Sequence, residues 1–277
     1  MTERLDVLKT YKLFIGGKFP RTESGRTMKY QRDGFTAHMC RASRKDLRNA
    51  VEAAHKAFGK WSGATAYLRG QILYRMAEMM EGKRAEFVNA IGDEREVTAA
   101  IDRLVAFAGW SDKYAQVLGC NNAVTGPYYN FTVPQPTGVV GVIAPDETPL
   151  LGLISLIAPA LCSGNTVVAL GSETNPVPTA ILGEVCATSD VPGGVINLLT
   201  GHKDELIPFF ASHREINAVQ AAGVTDAHRQ ELRAGAAENL KRVRILDVDF
   251  YDDDACEDPW RIEPTVEMKT IWHPSAT

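Results

Sequence analysis

The sequence predicts an α/β chain built on a doubly wound, Rossmann-like parallel sheet. Two observations carry this. From residue 138 onward, short apolar runs alternate with helical segments, the pattern of a sheet whose strands are joined by helical crossovers. The first of these runs, residues 139–143, is apolar along its whole length rather than at alternate positions, as a strand covered on both faces requires.

Residues 11–15 (Tyr-Lys-Leu-Phe-Ile) read as a strand, Gly16-Gly17 as a hairpin turn, and the first forty residues as short strands and turns. Ser43 and Asp46 then have the spacing of a capping box, and Leu47, Val51, Ala54, Phe58 and Trp61 follow at helical intervals. Further helical pattern covers 67–80, 85–91 and 97–114. Next come a strand at 139–143, a helix over 149–162, a strand at 166–170 and a helix over 176–188. A strand at 195–199, a helix over 204–212, a strand at 216–219, a helix near 227–234 and a strand at 242–246 complete the alternation. Right-handed crossovers make this order doubly wound. Ligands of such sheets bind beyond the carboxyl ends of the strands, here residues 144–147, 170–173, 200–202 and 220–223.

Residues 247–258 form an acidic stretch containing Asp252-Asp253-Asp254, without the alternating ligands and turn glycine of a calcium loop, and are expected to be a solvated linker. Residues 264–273 alternate in strand fashion with no helix after them, so an edge strand is expected.

The chain has 277 residues, 45% hydrophobic and 23% charged, with a formal net charge of −4. Mixed charge argues against a nucleic-acid or membrane-surface partner, either of which favours a basic stripe. No run approaches the roughly 20 apolar residues of a membrane span. Residues 1–6 lack the apolar core of a secretion signal. Five scattered cysteines without a C-x-x-C pair indicate reduced thiols and a cytoplasmic setting. Cys162 and Cys186 lie within apolar helical segments and read as packing residues, while neighbouring acids are expected to raise the Cys256 pKa. The six histidines show no H-x-x-x-H or H-E-x-x-H spacing, so no metal site is expected.

Several segments, in order, resemble the aldehyde dehydrogenase family: YKLFIGGKFPRTESGR at 11–26, PTGVVGVIAP at 136–145, APALCSGNTVV at 158–168, VPGGVINLLTG at 191–201 and NLKRV at 239–243. The resemblance implies the family's cofactor domain. It also implies three departures. Glu147 stands where the family has an asparagine that stabilises the thiohemiacetal oxyanion; a carboxylate does not donate there unless protonated. Leu170 stands for the lysine that grips the cofactor ribose, and Leu246 for the general-base glutamate. The domain bearing the catalytic cysteine is expected to be absent. Residues 265–272 resemble the family's C-terminal oligomerisation strand, whose partner strand would lie at about 128–133. The Pro-Asp-Glu turn, the run LTGHKDEL at 199–206 and the short C-terminal strand resemble most closely the non-catalytic C-terminal domain of family sixteen aldehyde dehydrogenases.

The resulting expectation is a pseudoenzyme: a non-catalytic structural or regulatory subunit that joins an active aldehyde dehydrogenase, itself, or both. Its parts would be a cofactor-type domain at 1–125 and 138–250, oligomerisation strands at 126–137 and 262–277, and an acidic linker at 251–261. Tyr128, Phe131, Val133, Val266, Met268, Ile271 and Trp272 would carry oligomerisation. A second expectation is a module that still takes NAD(P). Gly223 and Thr225 would offer backbone amides to the pyrophosphate, and Ser172 and Glu173 persist from the family motif; helix capping explains all four equally. A third is an enzyme of altered mechanism, with Glu147 and His202 as acid and base.

Overall fold

The computed structural model describes residues 5, 7–32, 34–237 and 239–275, so the reading of residues 1–6 lies, Leu5 apart, outside the described residues. Strands β1 (Lys9–Tyr11), β2 (Thr27–Arg32) and β3 (Phe35–Cys40) precede helices α1 (Arg44–Ser62), α2 (Ala66–Gly82), α3 (Arg84–Ile91), α4 (Glu94–Trp110) and α5 (Tyr114–Leu118). Then come β4 (Cys120–Asn122), β5 (Tyr128–Pro136), β6 (Val139–Ile143), α6 (Leu151–Cys162), β7 (Thr166–Leu170) and α7 (Val177–Thr188). They are followed by β8 (Ile196–Leu199), α8 (Lys203–Ser212), β9 (Ala218–Ala222), α9 (Asp226–Ala236), β10 (Arg242–Leu246), α10 (Asp253–Cys256) and β11 (Val266–Pro274).

Five parallel strands stand in the order β8–β7–β6–β9–β10. The chain winds outward from β6 to β8, then crosses to β9 and β10, so the strand order switches between β6 and β9. Every residue of β6, β7, β8 and β9 is buried, which the continuous apolar runs anticipate. One face is covered by α1 and α8 through Leu47, Val51, Leu206 and Phe210; on the other, α2, α4, α6 and α7 build the larger core. All of α6 is buried, as befits a helix apolar all round.

Local chemistry sets the helix starts. Ser43 and Asp46 form the capping box of α1, and Asp46 also accepts from Thr22 Oγ1 at 2.6 Å and Glu23 N at 3.0 Å, which ties the N-terminal loop to the helix. At the head of α6 no local side chain caps the helix. Instead the buried Glu96 carboxylate, from α4, accepts from Leu150 N at 2.8 Å and Leu151 N at 3.1 Å.

The expectation of a cofactor sheet with oligomerisation strands alone is corrected. A further sheet, order β1–β3–β2, is mixed: β1 runs parallel to β3 and β2 antiparallel to it. Met28 and Tyr30, and on β3 Ala37 and Met39, turn toward the main core, an alternation that the short-strand reading left unassembled. The expected strand at 11–15 is displaced. Strand β1 ends at Tyr11, while Phe14 bridges only to Leu198 and Ile15 to Lys18 around Gly16 and Gly17. The same mixed sheet corrects the expectation of an excised catalytic domain.

A third sheet has the order β11–β5–β4. Strand β11 pairs antiparallel with β5 over nine residues, from Val266 opposite Pro136 to Pro274 opposite Tyr128. Its other edge is unpaired among the described residues. The acidic stretch is not a solvated linker. Arg103, fully buried in α4, donates to Asp253 and Glu257, Cys256 and Ile262 are in the core, and Trp110 Nε1 donates to Glu257 O at 2.9 Å.

Candidate functional site

The turns that leave β6, β7, β8 and β9 meet at the switch between β6 and β9, and their polar side chains form one network. Asp146, just past β6, is its hub. Its Oδ1 accepts from Ser172 Oγ at 2.8 Å, Glu173 N at 2.7 Å and Thr174 N at 3.2 Å; its Oδ2 accepts from Lys203 Nζ at 2.7 Å. Lys203, the first residue of α8, also donates from Nζ to Gly223 O at 3.3 Å, so its ammonium reaches from the end of β8 to the end of β9. Glu173 binds the same turn, accepting from Lys203 N at 2.8 Å and pairing with His202 Nδ1 at 2.6 Å.

Burial of the Asp146 carboxyl pushes its pKa up, but the Lys203 ammonium, the Ser172 hydroxyl and the Thr174 amide outweigh burial and hold it below the ordinary aspartate value. The Lys203 side chain is only 6% exposed, so this is an ion pair largely removed from water.

Of the residues singled out in the sequence, Glu147, Ser172, Glu173 and Gly223 come together here. Glu147 is exposed, and a Cβ built on Gly223 would lie 3.2 Å from its Oε2. Gly223 has φ +59°, and that same Cβ would stand 3.0 Å from the Pro145 Cα, so glycine is required on both counts. Thr225 caps α9, accepting from His228 N at 3.3 Å. Leu170 is fully buried at the end of β7; Leu246 is buried at the end of β10, next to β9 but on the side away from β6. His202 partners Glu173, so the acid–base pairing with Glu147 is not formed.

Sequence reading placed Asp146 within the ligand-binding end 144–147 without giving it a role, and stopped one residue short of Lys203. Their signal was position: each is the first or second charged residue past the carboxyl end of a buried parallel strand. The thiols of Cys162 and Cys186 are pushed up by burial, and Cys256 likewise, with burial rather than its acidic neighbours as the main cause. Cys120 is the exposed one among the five. Among the described residues no group of three or more acidic, histidine or cysteine side chains is arranged to hold a metal ion. None of the described helices is long and apolar enough to cross a membrane.

Gly223 itself adds no side chain to the backbone before α9, but Pro145 and the Glu147 carboxylate lie against it, so an anionic ligand there would meet Lys203 as its cation beside the carboxylates of Asp146 and Glu147.

Residues 23–246 match the aldehyde dehydrogenase family model. The chain belongs to the aldehyde dehydrogenase family. It is 32% identical over 254 residues to retinal dehydrogenase 2 of Mus musculus, covering 86% of this chain and 48% of that protein. Retinaldehyde dehydrogenase 3 of Homo sapiens is 30% identical over 256 residues, covering 86% and 49%. Among solved structures, an NAD+ complex of aldehyde dehydrogenase from Bacillus cereus superposes with a TM-score of 0.80 at 26% identity, covering 86% of this chain and 50% of that one. PnpE in complex with nicotinamide adenine dinucleotide gives 0.80 at 27% identity, covering 85% and 50%. The chain thus spans about half the length of the relatives it matches.

These relatives overturn the expected likeness to the non-catalytic domain of family sixteen, and with it the expectation of an inactive pseudoenzyme subunit. The matched aldehyde dehydrogenases are named for their activity, and solved examples hold the nicotinamide cofactor.

Proposed function

We propose that this chain serves NAD(P)-dependent aldehyde oxidation and supplies the cofactor-binding sheet for it. The carrying observation is the switch-point crevice, where the turns leaving β6, β7, β8 and β9 meet and Lys203 sets a cation between Asp146 and the Gly223 turn before α9. Bound NAD(P)+ would accept the hydride of an aldehyde-level carbon. The residues of this chain have binding and orienting work: the 223–225 turn meets the pyrophosphate, and Ser172 and Glu173 line the neighbouring turn where a ribose would lie. Glu147 and Leu170 alter the polarity around the cofactor relative to the family pattern. At position 246 the leucine offers no proton acceptor.

Self-association through β11 belongs to the same proposal. This edge strand exposes Met268, Ile271 and Trp272, with Tyr128 exposed beside them on β5, and a second aldehyde dehydrogenase chain, its own copy first, is the partner such an edge fits. Phe131 and Val133, half-buried on β5, and Val266, buried at the start of β11, hold the pairing in place. The free thiols fit a cytoplasmic setting.

Calorimetric titration with NAD and NADP, together with the formation of reduced cofactor from a panel of aldehydes, tests the function. Binding of either nucleotide is expected; silence toward both, in folded protein, defeats the proposal.

A further inference from the structure

We propose that Lys203 is the charge partner of the dinucleotide phosphates and that Asp146 holds it in reserve. The inference rests on the NAD(P) reading above and names the residue through which this chain would meet that ligand. Leu170, buried at the end of β7, brings no charge to the crevice. Lys203 enters from the next turn along: its strand neighbour Leu199 is the register partner of Leu170. Its side chain passes over the ends of β7 and β6, and its ammonium rests between Asp146 Oδ2 at 2.7 Å and Gly223 O at 3.3 Å. That is the gap between β6 and β9, where ligands of doubly wound sheets sit. The contact with Gly223 O puts a cation against the turn that faces the N-terminus of α9.

The arrangement holds Lys203 for this task. Its backbone amide is fixed by Glu173 Oε2 at 2.8 Å, and Glu173 is in turn paired with His202. Asp146 does not depend on Lys203 alone, since it also takes the Ser172 hydroxyl and two backbone amides. The ammonium can therefore turn toward a phosphate while the carboxylate keeps three donors. Asp146 competes with the phosphate for the same cation and repels it as well. A paired charge of this kind gives the two partners opposite effects on ligand affinity.

Calorimetry on the full chain with NAD and NADP reads this out, with thermal melting as the control for folding. Lys203→Met is expected to weaken binding about tenfold or more, the loss of one charge-assisted contact. Lys203→Arg is expected to retain most of it. Asp146→Asn keeps the hydrogen bonds of the turn and is expected to tighten binding. Added salt is expected to weaken the wild type more than Lys203→Met. Wild-type binding that Lys203→Met leaves unchanged overturns this inference alone, as does Asp146→Asn binding no tighter than wild type. Should Lys203→Met fail to fold, the Asp146→Asn and Lys203→Arg results decide. Silence of the folded wild type toward both nucleotides overturns the functional reading and this inference with it.

Discussion

Arg103, on α4, donates from Nη2 to Asp253 Oδ1 at 2.8 Å, and through this contact the acidic stretch is pinned to the main core. The guanidinium is fully buried; it also donates to Ser155 Oγ at 2.6 Å, Phe250 O at 3.0 Å and Glu257 Oε1 at 3.3 Å. The two ends of the ion pair are unequal, because Asp253 is 69% exposed. An abandoned Asp253 can be hydrated, whereas loss of Arg103 strips a buried network of its donor. Arg103→Met is expected to lower the unfolding free energy by about 2–3 kcal/mol, and Asp253→Asn by less than about 1 kcal/mol. Urea denaturation of both variants checks the asymmetry; equal losses would contradict it.

Strand β11 should govern association. Met268 and Trp272 lie on one face of it, are 43% and 59% exposed, and Trp272 stacks edge-on to Tyr128 with ring centroids 5.7 Å apart. The Thr132 and Thr270 hydroxyls, 2.9 Å apart between them, hold the β5–β11 register. Changing Met268 and Trp272 together to lysine is expected to raise the dimer dissociation constant by about tenfold or more, with little change in melting temperature. Sedimentation equilibrium would show it; a wild-type chain that stays monomeric at high concentration would dispose of the idea.

The parallel sheet was legible because β6 is written as an unbroken apolar run and β7 and β8 nearly so, with Thr166 and Asn197 the polar exceptions, and because burial on both faces demands that writing. The edge strand β11 was legible from its alternation and from the lack of a following helix. The network at the switch point was not. Asp146 and Lys203 lie 57 residues apart, and only the strand order β8–β7–β6–β9 brings them together. The acidic stretch was misread for the same reason: its partner Arg103 is 150 residues away from Asp253. Charge runs look solvated when the residue that neutralises them sits on another element. Strand β2 hid its alternation of Met28 and Tyr30 among lysine, glutamine and arginine.

Gly223 separates backbone geometry from binding. Its φ of +59° and the 3.0 Å approach to Pro145 both resist a side chain, so Gly223→Ala is expected to destabilise by about 1–2 kcal/mol. It should also weaken NAD(P) by about tenfold or more, because the methyl group enters the turn proposed to meet the pyrophosphate. Gly25→Ala is the comparison. That residue has φ +68° but nothing within 4 Å of its Cβ, so it carries the strain and not the obstruction. Calorimetry that finds the two variants equally competent for nucleotide would remove Gly223 from the site.

Glu96 makes a pH-dependent link between α4 and the turn that carries Glu147. Burial raises the pKa of its carboxyl, and the amides of Leu150 and Leu151 only partly offset that. The folded chain therefore holds this proton to a higher pH than the unfolded chain does. Between the ordinary glutamate value of 4.5 and the raised folded value, the native state binds more protons, so stability falls as pH rises. The contribution is fully present below the lower limit and is lost as pH passes the folded value. Glu96→Gln keeps an oxygen for the two amides and cannot ionise, so it should abolish this slope and gain on the wild type as pH rises. Glu96→Leu leaves Leu150 N and Leu151 N without an acceptor and is expected to cost about 1–3 kcal/mol at every pH. Urea midpoints for the three proteins across this range decide the matter: a wild-type curve parallel to that of Glu96→Gln would mean that the carboxylate stays ionised in the fold, held by the head of α6.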